Sequence, residues 1–202
     1  MYKLYAITDR RYLRNGMELP EAVEQAIIGG ATIVQLREKE LAGEDKKQLA
    51  LSVHEICKKH NVPLIINDDV QLALEIGAEG VHLGQSDMAP DKAREILGEK
   101  AIIGVTAKTI EQATRAQAQS ADYLGSGAMF GTNTKADALP MSIDTFNSIC
   151  QAVSIPVVAI GGINASNVSL LKDTKKAGVA VVGGIFDSED ITAAAKELLS
   201  LI

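Results

Sequence analysis

Repetition is what most constrains this chain: a short apolar strand candidate precedes an amphipathic helix candidate eight times within 202 residues. The strand candidates are residues 4–8, 33–36, 64–66, 80–83, 102–105, 123–125, 157–160 and 179–182. They are mostly apolar, rich in β-branched residues, and lack the polar alternation of a strand with one wet face. Such runs are what parallel strands covered on both faces require. The helix candidates are 20–29, 44–60, 69–76, 90–97, 110–119, 142–152, 164–173 and 188–201. In 44–60, Leu49, Val53, Ile56 and Cys57 recur at spacings of three and four; in 188–201, Ile191, Ala194, Ala195, Leu198 and Leu199 form one stripe. Pro20 and Pro90 suit first-turn helix positions, and Pro63 and Pro156 stand just before strands, where their missing N–H costs little.

Strand then helix, eight times, predicts an α/β fold of the (β/α)8 TIM-barrel type. The length lies near the lower limit of roughly 200 residues for that architecture, so every loop must be short. The alternative, an open doubly wound sheet, lacks support from a Gly-x-Gly-x-x-Gly turn after the first strand. No linker, low-complexity tract or charge run divides the chain, so residues 1–202 read as one domain.

Composition narrows the functions open to such a barrel. Apolar residues make up 47%, tryptophan is absent and aromatics are 3%, which predicts a core of Val, Ile, Leu and Ala. The net charge of −6, with no basic block, argues against nucleic acid or an anionic membrane as partner. No apolar run reaches the roughly 18 residues of a membrane span. The N-terminus enters a strand at once, without a signal-peptide pattern. Cys57 and Cys150 share no motif and read as free thiols of a reducing compartment, so a cytoplasmic location is expected.

A barrel of this kind carries its chemistry where the strands end. Asn67-Asp68-Asp69 follows the third strand candidate, and Gly84-Gln85-Ser86-Asp87 follows the fourth. Asp68 and Asp87 thereby stand at adjacent strand ends, an arrangement that can hold Mg²⁺ with positions left open for substrate phosphates. Asp69 opens a helix and reads equally as its N-cap. In Gln35-x-Arg37-x-Lys39, alternation puts three polar side chains on one face, at the mouth of the barrel. Cations there call for an anionic ligand or for neighbouring carboxylates.

Gly161-Gly162 and Gly183-Gly184 follow the seventh and eighth strand candidates, where backbone N–H groups of such barrels meet phosphate. Thr132-x-Thr134-Lys135 adds two hydroxyls and a cation suited to a departing anion. His82, inside a strand, reads as a core hydrogen-bonding group, and His54 and His60 fall in a helix read as surface, without a role. No Ser-His-Asp or Cys-His arrangement is visible. A metal, several cations and a second phosphate cradle fit a reaction that ionises a diphosphate ester and joins the fragment to a phosphorylated acceptor.

These segments resemble the thiamine phosphate synthase family, over essentially the whole chain. The resemblance rests on 5–9 (Tyr-Ala-Ile-Thr-Asp), 35–39, 67–69, 80–87, 121–125, 132–135 and 159–163. It implies a barrel that condenses 4-amino-2-methyl-5-hydroxymethylpyrimidine diphosphate with a thiazole phosphate, carboxylated or not, giving thiamine phosphate and pyrophosphate. It implies a dissociative course in which pyrophosphate leaves first and the thiazole nitrogen attacks the pyrimidine methylene cation. By position, Asp68 and Asp87 would bind Mg²⁺. Gln35, Arg37, Lys39, Asn67, Thr106 and Lys135 would hold the pyrimidine diphosphate, with Lys135, Arg37 and Lys39 as the catalytic cations. Thr132, Thr134, Gly162, Val182 and Gly183 would hold the thiazole phosphate.

Thr106 and Gly183 stand where the family usually has serine, Gly131 where it has proline, and Met141 where a small or β-branched residue is ordinary. The partners expected are the two small-molecule substrates, with no nucleic acid and no membrane, and a homodimer is allowed for. Two competing readings are a thiazole tautomerase of the same superfamily and a non-catalytic phosphate-ligand sensor. The tautomerase branch uses a histidine after the fifth strand, where this chain reads Thr106-Ala107-Lys108-Thr109. A sensor would have no need to keep the metal carboxylates and Lys135 together.

Overall fold

Eight short parallel strands pair in sequence order and close on themselves: β1 (Leu4–Ile7), β2 (Ile33–Leu36), β3 (Leu64–Asn67), β4 (Gly80–Leu83), β5 (Ile102–Thr106), β6 (Tyr123–Ser126), β7 (Val157–Ile160) and β8 (Gly178–Val181). The computed structural model describes residues 1–14, 16–131 and 140–202. Closure is made by β8 pairing with β1, with Tyr5 opposite Ala180 on one side and Ile33 on the other. No strand is left as an edge, which is why four- and five-residue strands suffice. The helices α1 (Leu19–Ile28), α2 (Gly43–Lys59), α3 (Val70–Ile76), α4 (Pro90–Leu97), α5 (Ile110–Ala118) and α6 (Ile143–Ala152) alternate with the first seven strands, and α7 (Gly183–Phe186) and α8 (Ile191–Leu201) both follow β8. Among the described residues, no helix is long and apolar enough to cross a membrane.

Local chemistry fixes the helix starts. Asp69, Thr109, Ser142 and Asp190 each accept a hydrogen bond from a first-turn amide, and Pro20 and Pro90 occupy first-turn positions. One expected helix differs: in place of 164–173, only a 3₁₀ turn, Val168–Leu171, lies between β7 and β8. The Asn164 side chain accepts from the Ser166 amide (2.9 Å) and Asn167 from the Asn164 amide (3.0 Å). Short polar side chains that bond to nearby backbone in this way compete with helix formation. A second difference is α7, a four-residue helix immediately after β8 that places Val182 at a helix start rather than inside a strand.

Alternation along the strands divides the core into two layers. The outer layer packs β-strand residues such as Leu4, Val34, Leu64, Val81 and Leu124 against helix residues such as Val23, Val53, Phe146 and Leu198. The inner layer contains Tyr5, Ile7, Ile33, Ile65, Tyr123, Val158 and Ala180. The expectation of a purely Val/Ile/Leu/Ala core thus holds poorly at the centre, where two fully buried tyrosines meet edge to face at 5.9 Å. Tyr123 fits because position 104 is glycine: a Cβ there would lie 2.0 Å from the Tyr123 ring. His54 also departs from expectation, since α2 turns it inward, buried, with Nε2 3.2 Å from Glu79 Oε1. His60 is half-buried beside Glu24 at 2.8 Å.

Candidate active site

The C-terminal ends of the strands open onto a cavity of about 270 Å³. Its wall includes Gln35, Arg37, Asn67, His82 and Thr106 on one side and Gly162, Val182 and Gly183 on the other. These eight come from the ends of β2, β3, β4, β5, β7 and β8 or the turns after them. Beside this cavity lies a shallower depression lined by Lys39, Asp68, Asp69 and Lys46, among others. Asn67, the last residue of β3, borders both. The strand-end inventory therefore resolves into two neighbouring compartments.

Arg37 is the most constrained cation. Its amide donates to Thr8 Oγ1 (3.0 Å), and its Nη1 donates to Asp9 Oδ2 (3.1 Å). Its Nε is buried without a hydrogen-bond partner among the described residues. A buried guanidinium N–H costs free energy when unpaired, so this atom is available to an anion in the cavity. Asp9 is itself buried and also takes Nε (2.9 Å) and Nη2 (2.6 Å) of Arg11. Burial pushes the Asp9 carboxyl up, but the Arg11 hydrogen bonds and the charges of Arg11 and Arg37 outweigh it and hold Asp9 below the ordinary carboxylate range. The expected alternative of local ion pairing is thus partly realised at Arg37, although the guanidinium keeps a donor in reserve.

Asp68 lines the second compartment, with Asp87 as its neighbour. Asp68 adopts a left-handed conformation (φ 65°), which aspartate tolerates better than most residues. Its amide is pinned to the His82 carbonyl at 2.9 Å, so β4 fixes where the turn after β3 goes. Asp87 is oriented by the Gly84 amide, which donates to its Oδ2 at 2.6 Å. The two carboxyl groups are close neighbours. Burial first, then this neighbour, pushes Asp68 above the ordinary carboxylate range, against the pull of Lys39 and Asn67. Lys39 Nζ lies 3.7 Å from Asp68 Oδ2. Two carboxylates held together at a solvent-facing rim fit a divalent cation. Mg²⁺ needs only one or two protein carboxylates when substrate phosphates and waters complete its octahedron. Among the described residues no set of three or more His, Cys, Asp or Glu groups could form an all-protein cage. Asp69 is a helix cap, accepting from Leu72 N at 3.0 Å, and pairs with Lys46 at 2.7 Å.

On the opposite side, Gly161 (φ 102°) and Gly162 (φ 64°) both occupy left-handed conformations that glycine permits. A Cβ at position 162 would also lie 2.2 Å from the Gly131 carbonyl oxygen. At Gly183, a Cβ would meet the Tyr12 ring at 3.2 Å, so glycine in place of the usual serine accompanies a tyrosine packed over the turn. The first helical bonds of α7 come from the Ile185 and Phe186 amides to Val182 O. Thr132, Thr134 and Lys135 lie outside the described residues.

His82 points into the barrel, as a hydrogen-bonding strand histidine: Nδ1 lies 2.9 Å from Tyr123 OH and Nε2 3.0 Å from Thr106 Oγ1. It also lines the cavity, together with Tyr12, Lys108 and Asn164, which the sequence reading left without a role. Lys108 and Asn164 each lie within a few residues of a strand end, so a wider window after each strand would have found them.

Known proteins match this chain along its length. A sequence model described as thiamine monophosphate synthase matches residues 4–185. The thiamine-phosphate synthase of Ruminiclostridium cellulolyticum is 50% identical over 200 residues, covering 99% of this chain and 95% of that protein. The enzyme of the same name from Clostridium tetani is 49% identical over 195 residues, covering 96% and 93%. Among solved structures, thiamine phosphate pyrophosphorylase from Pyrococcus furiosus superposes with a TM-score of 0.89 at 36% identity, covering 98% of this chain and 94% of that one. A match over so much of the length, on a closed barrel with this mouth, carries one conclusion: the chain belongs to the thiamine monophosphate synthase family.

Proposed function

We propose that the chain is a transferase of thiamine biosynthesis. It condenses 4-amino-2-methyl-5-hydroxymethylpyrimidine diphosphate with a thiazole phosphate, releasing pyrophosphate and forming thiamine phosphate. The observation that carries this reading is near-full-length identity of 49–50% to thiamine-phosphate synthases. Residues 1–202 act as one domain, working on small molecules.

Arg37 and Lys39 bind the diphosphate, with the buried Nε of Arg37, unpaired among the described residues, supporting the first assignment. Gln35, Asn67 and Thr106 hold the pyrimidine against the floor of the cavity. Asp68 and Asp87 hold Mg²⁺, which when bound counters the charge that builds on departing pyrophosphate. Lys135 supplies a further cation to that charge. Ionisation of the C–O bond leaves a methylene cation stabilised by the electron-rich aminopyrimidine, so no protein nucleophile is needed. Thr132, Thr134 and the backbone at Gly162, Val182 and Gly183 place the thiazole phosphate so that its ring nitrogen attacks this carbon. The phosphorylated substrates and two free thiols suit a reducing cytoplasm.

Purified protein incubated with the pyrimidine diphosphate, thiazole phosphate and Mg²⁺ should yield thiamine phosphate, read as fluorescent thiochrome after oxidation. Product that disappears with EDTA supports the reaction and the metal together. No product with either thiazole form overturns the reading.

A further inference from the structure

A continuous line of hydrogen bonds crosses the barrel interior beneath the cavity. Gln35 Nε2 donates to Tyr5 OH (2.9 Å), Tyr5 OH meets Tyr123 OH (2.7 Å), Tyr123 OH meets His82 Nδ1 (2.9 Å), and His82 Nε2 meets Thr106 Oγ1 (3.0 Å). Both tyrosines are fully buried, and neither lines the cavity, whereas Gln35 and Thr106 do. Each phenol has one proton to give, and a neutral imidazole has one N–H. With the Gln35 amide donating to Tyr5, the Tyr5 proton goes to Tyr123 and the Tyr123 proton to Nδ1 of His82. The imidazole N–H is then on Nε2 and donates to Thr106, whose own proton is turned elsewhere. Reversing any link reverses all of them, flipping the amide at one end and the hydroxyl at the other.

Resting on the function proposed above, we infer that Tyr5 and Tyr123 are positioning residues, acting on Gln35 directly and on Thr106 through His82. Their ordered line presents Gln35 Oε1 to the cavity as an acceptor and the Thr106 hydroxyl as a donor. It thereby selects a ring with an N–H donor on one edge and a lone pair on the other, as an aminopyrimidine has and its oxo counterpart does not in the same positions. The glycines at 104 and 125 belong to the device: a Cβ at the first would strike the Tyr123 ring, and one at the second would press on His82 at 3.1 Å.

Two readouts test this. The first is the ratio of kcat/KM for the 4-aminopyrimidine diphosphate to that for its 4-oxo analogue, in wild type, Tyr5→Phe and Tyr123→Phe. Wild type should favour the amino compound at least tenfold, because a site built to hydrogen-bond rejects a mismatched edge strongly. Each variant should bring that ratio down about tenfold, since a freed amide can turn to suit either ring. A purely structural role would lower both rates together, and an unchanged ratio in folded variants overturns the proposal. The second readout does not depend on turnover. In ¹⁵N-histidine-labelled protein, with His82 assigned by a His82→Asn variant, the imidazole should be the Nε2–H tautomer in wild type and a mixture in Tyr123→Phe. An Nδ1–H imidazole in wild type overturns the ordered line. Wild type that makes no thiamine phosphate yet shows the expected tautomer would sink the functional reading alone.

Discussion

At the residue scale, the site is governed by how few charges are placed and how firmly each is held. Asp87 is fixed by the Gly84 amide and faces Asp68, so Asp87→Asn keeps the turn contact while removing one of the two carboxylates proposed to hold Mg²⁺. Turnover should fall on the order of 10²-fold, in line with losses of charge stabilisation at reacting oxygens, with the Mg²⁺ concentration for half-maximal rate displaced upward. Near-normal kinetics across a Mg²⁺ titration would refute the assignment. Asp9 anchors Arg37 from below and gives the protein an acid-sensitive point. Its folded-state pKa lies below the ordinary 3.8, so on acidification the unfolded state takes up the proton first. The carboxylate's contribution is present in full above the unfolded value and shrinks as pH falls through the folded-state value. Asp9→Asn should therefore be less stable than wild type at neutral pH, with the gap narrowing below roughly pH 5; urea melts across that range would show it. The position of Arg37, Lys39 and the two aspartates after the strands was legible because alternation and strand ends are local properties. The Arg37–Asp9 pair was not, since it joins the ends of two strands whose partnership depends on register.

At the scale of elements, strands and the turns after them line the cavity together: Gln35, Asn67, His82 and Thr106 lie in strands, and Arg37 and Gly162 in turns. The turn after β7 shows why glycine is written twice there: both residues are left-handed, and position 162 leaves no room for a methyl group beside Gly131. Gly162→Ala should destabilise the protein by roughly 1–3 kcal/mol, the range for a strained backbone conformation. It should raise KM for the thiazole phosphate more than KM for the pyrimidine diphosphate; urea melts and the two substrate titrations separate these effects. Equal shifts in both KM values would remove Gly162 from the thiazole side. The helices were readable wherever an apolar stripe met a capping residue, as in α5, α6 and α8. The segment after β7 misled because apolar Val168 and Leu171 fit a helical stripe, while the Asx-type bonds of Asn164 and Asn167 hold its start in a turn.

At the scale of the whole molecule, closure makes the barrel interior a shared object to which every strand contributes. Three of the four tyrosines, Tyr2, Tyr5 and Tyr123, stack within it, and the chain has no tryptophan. Intrinsic tyrosine fluorescence therefore reports the centre of the barrel, and far-UV circular dichroism reports the helices outside it. The two signals should change together in urea, in one cooperative transition, because removing any strand opens the ring. Separate midpoints would mean that the halves of the barrel unfold independently, against a single domain. Strand and helix periodicity, the eightfold repeat and the polar residues at strand ends were determined by the sequence, because each depends on dihedral preference and side-chain direction within a few residues. Which of those polar groups share a compartment, and the line from Gln35 through two tyrosines to His82 and Thr106, was decided only by the tertiary structure. Tyr5 and Tyr123 stand 118 positions apart and meet only because the ring closes in this register, a condition no local stretch of chain contains.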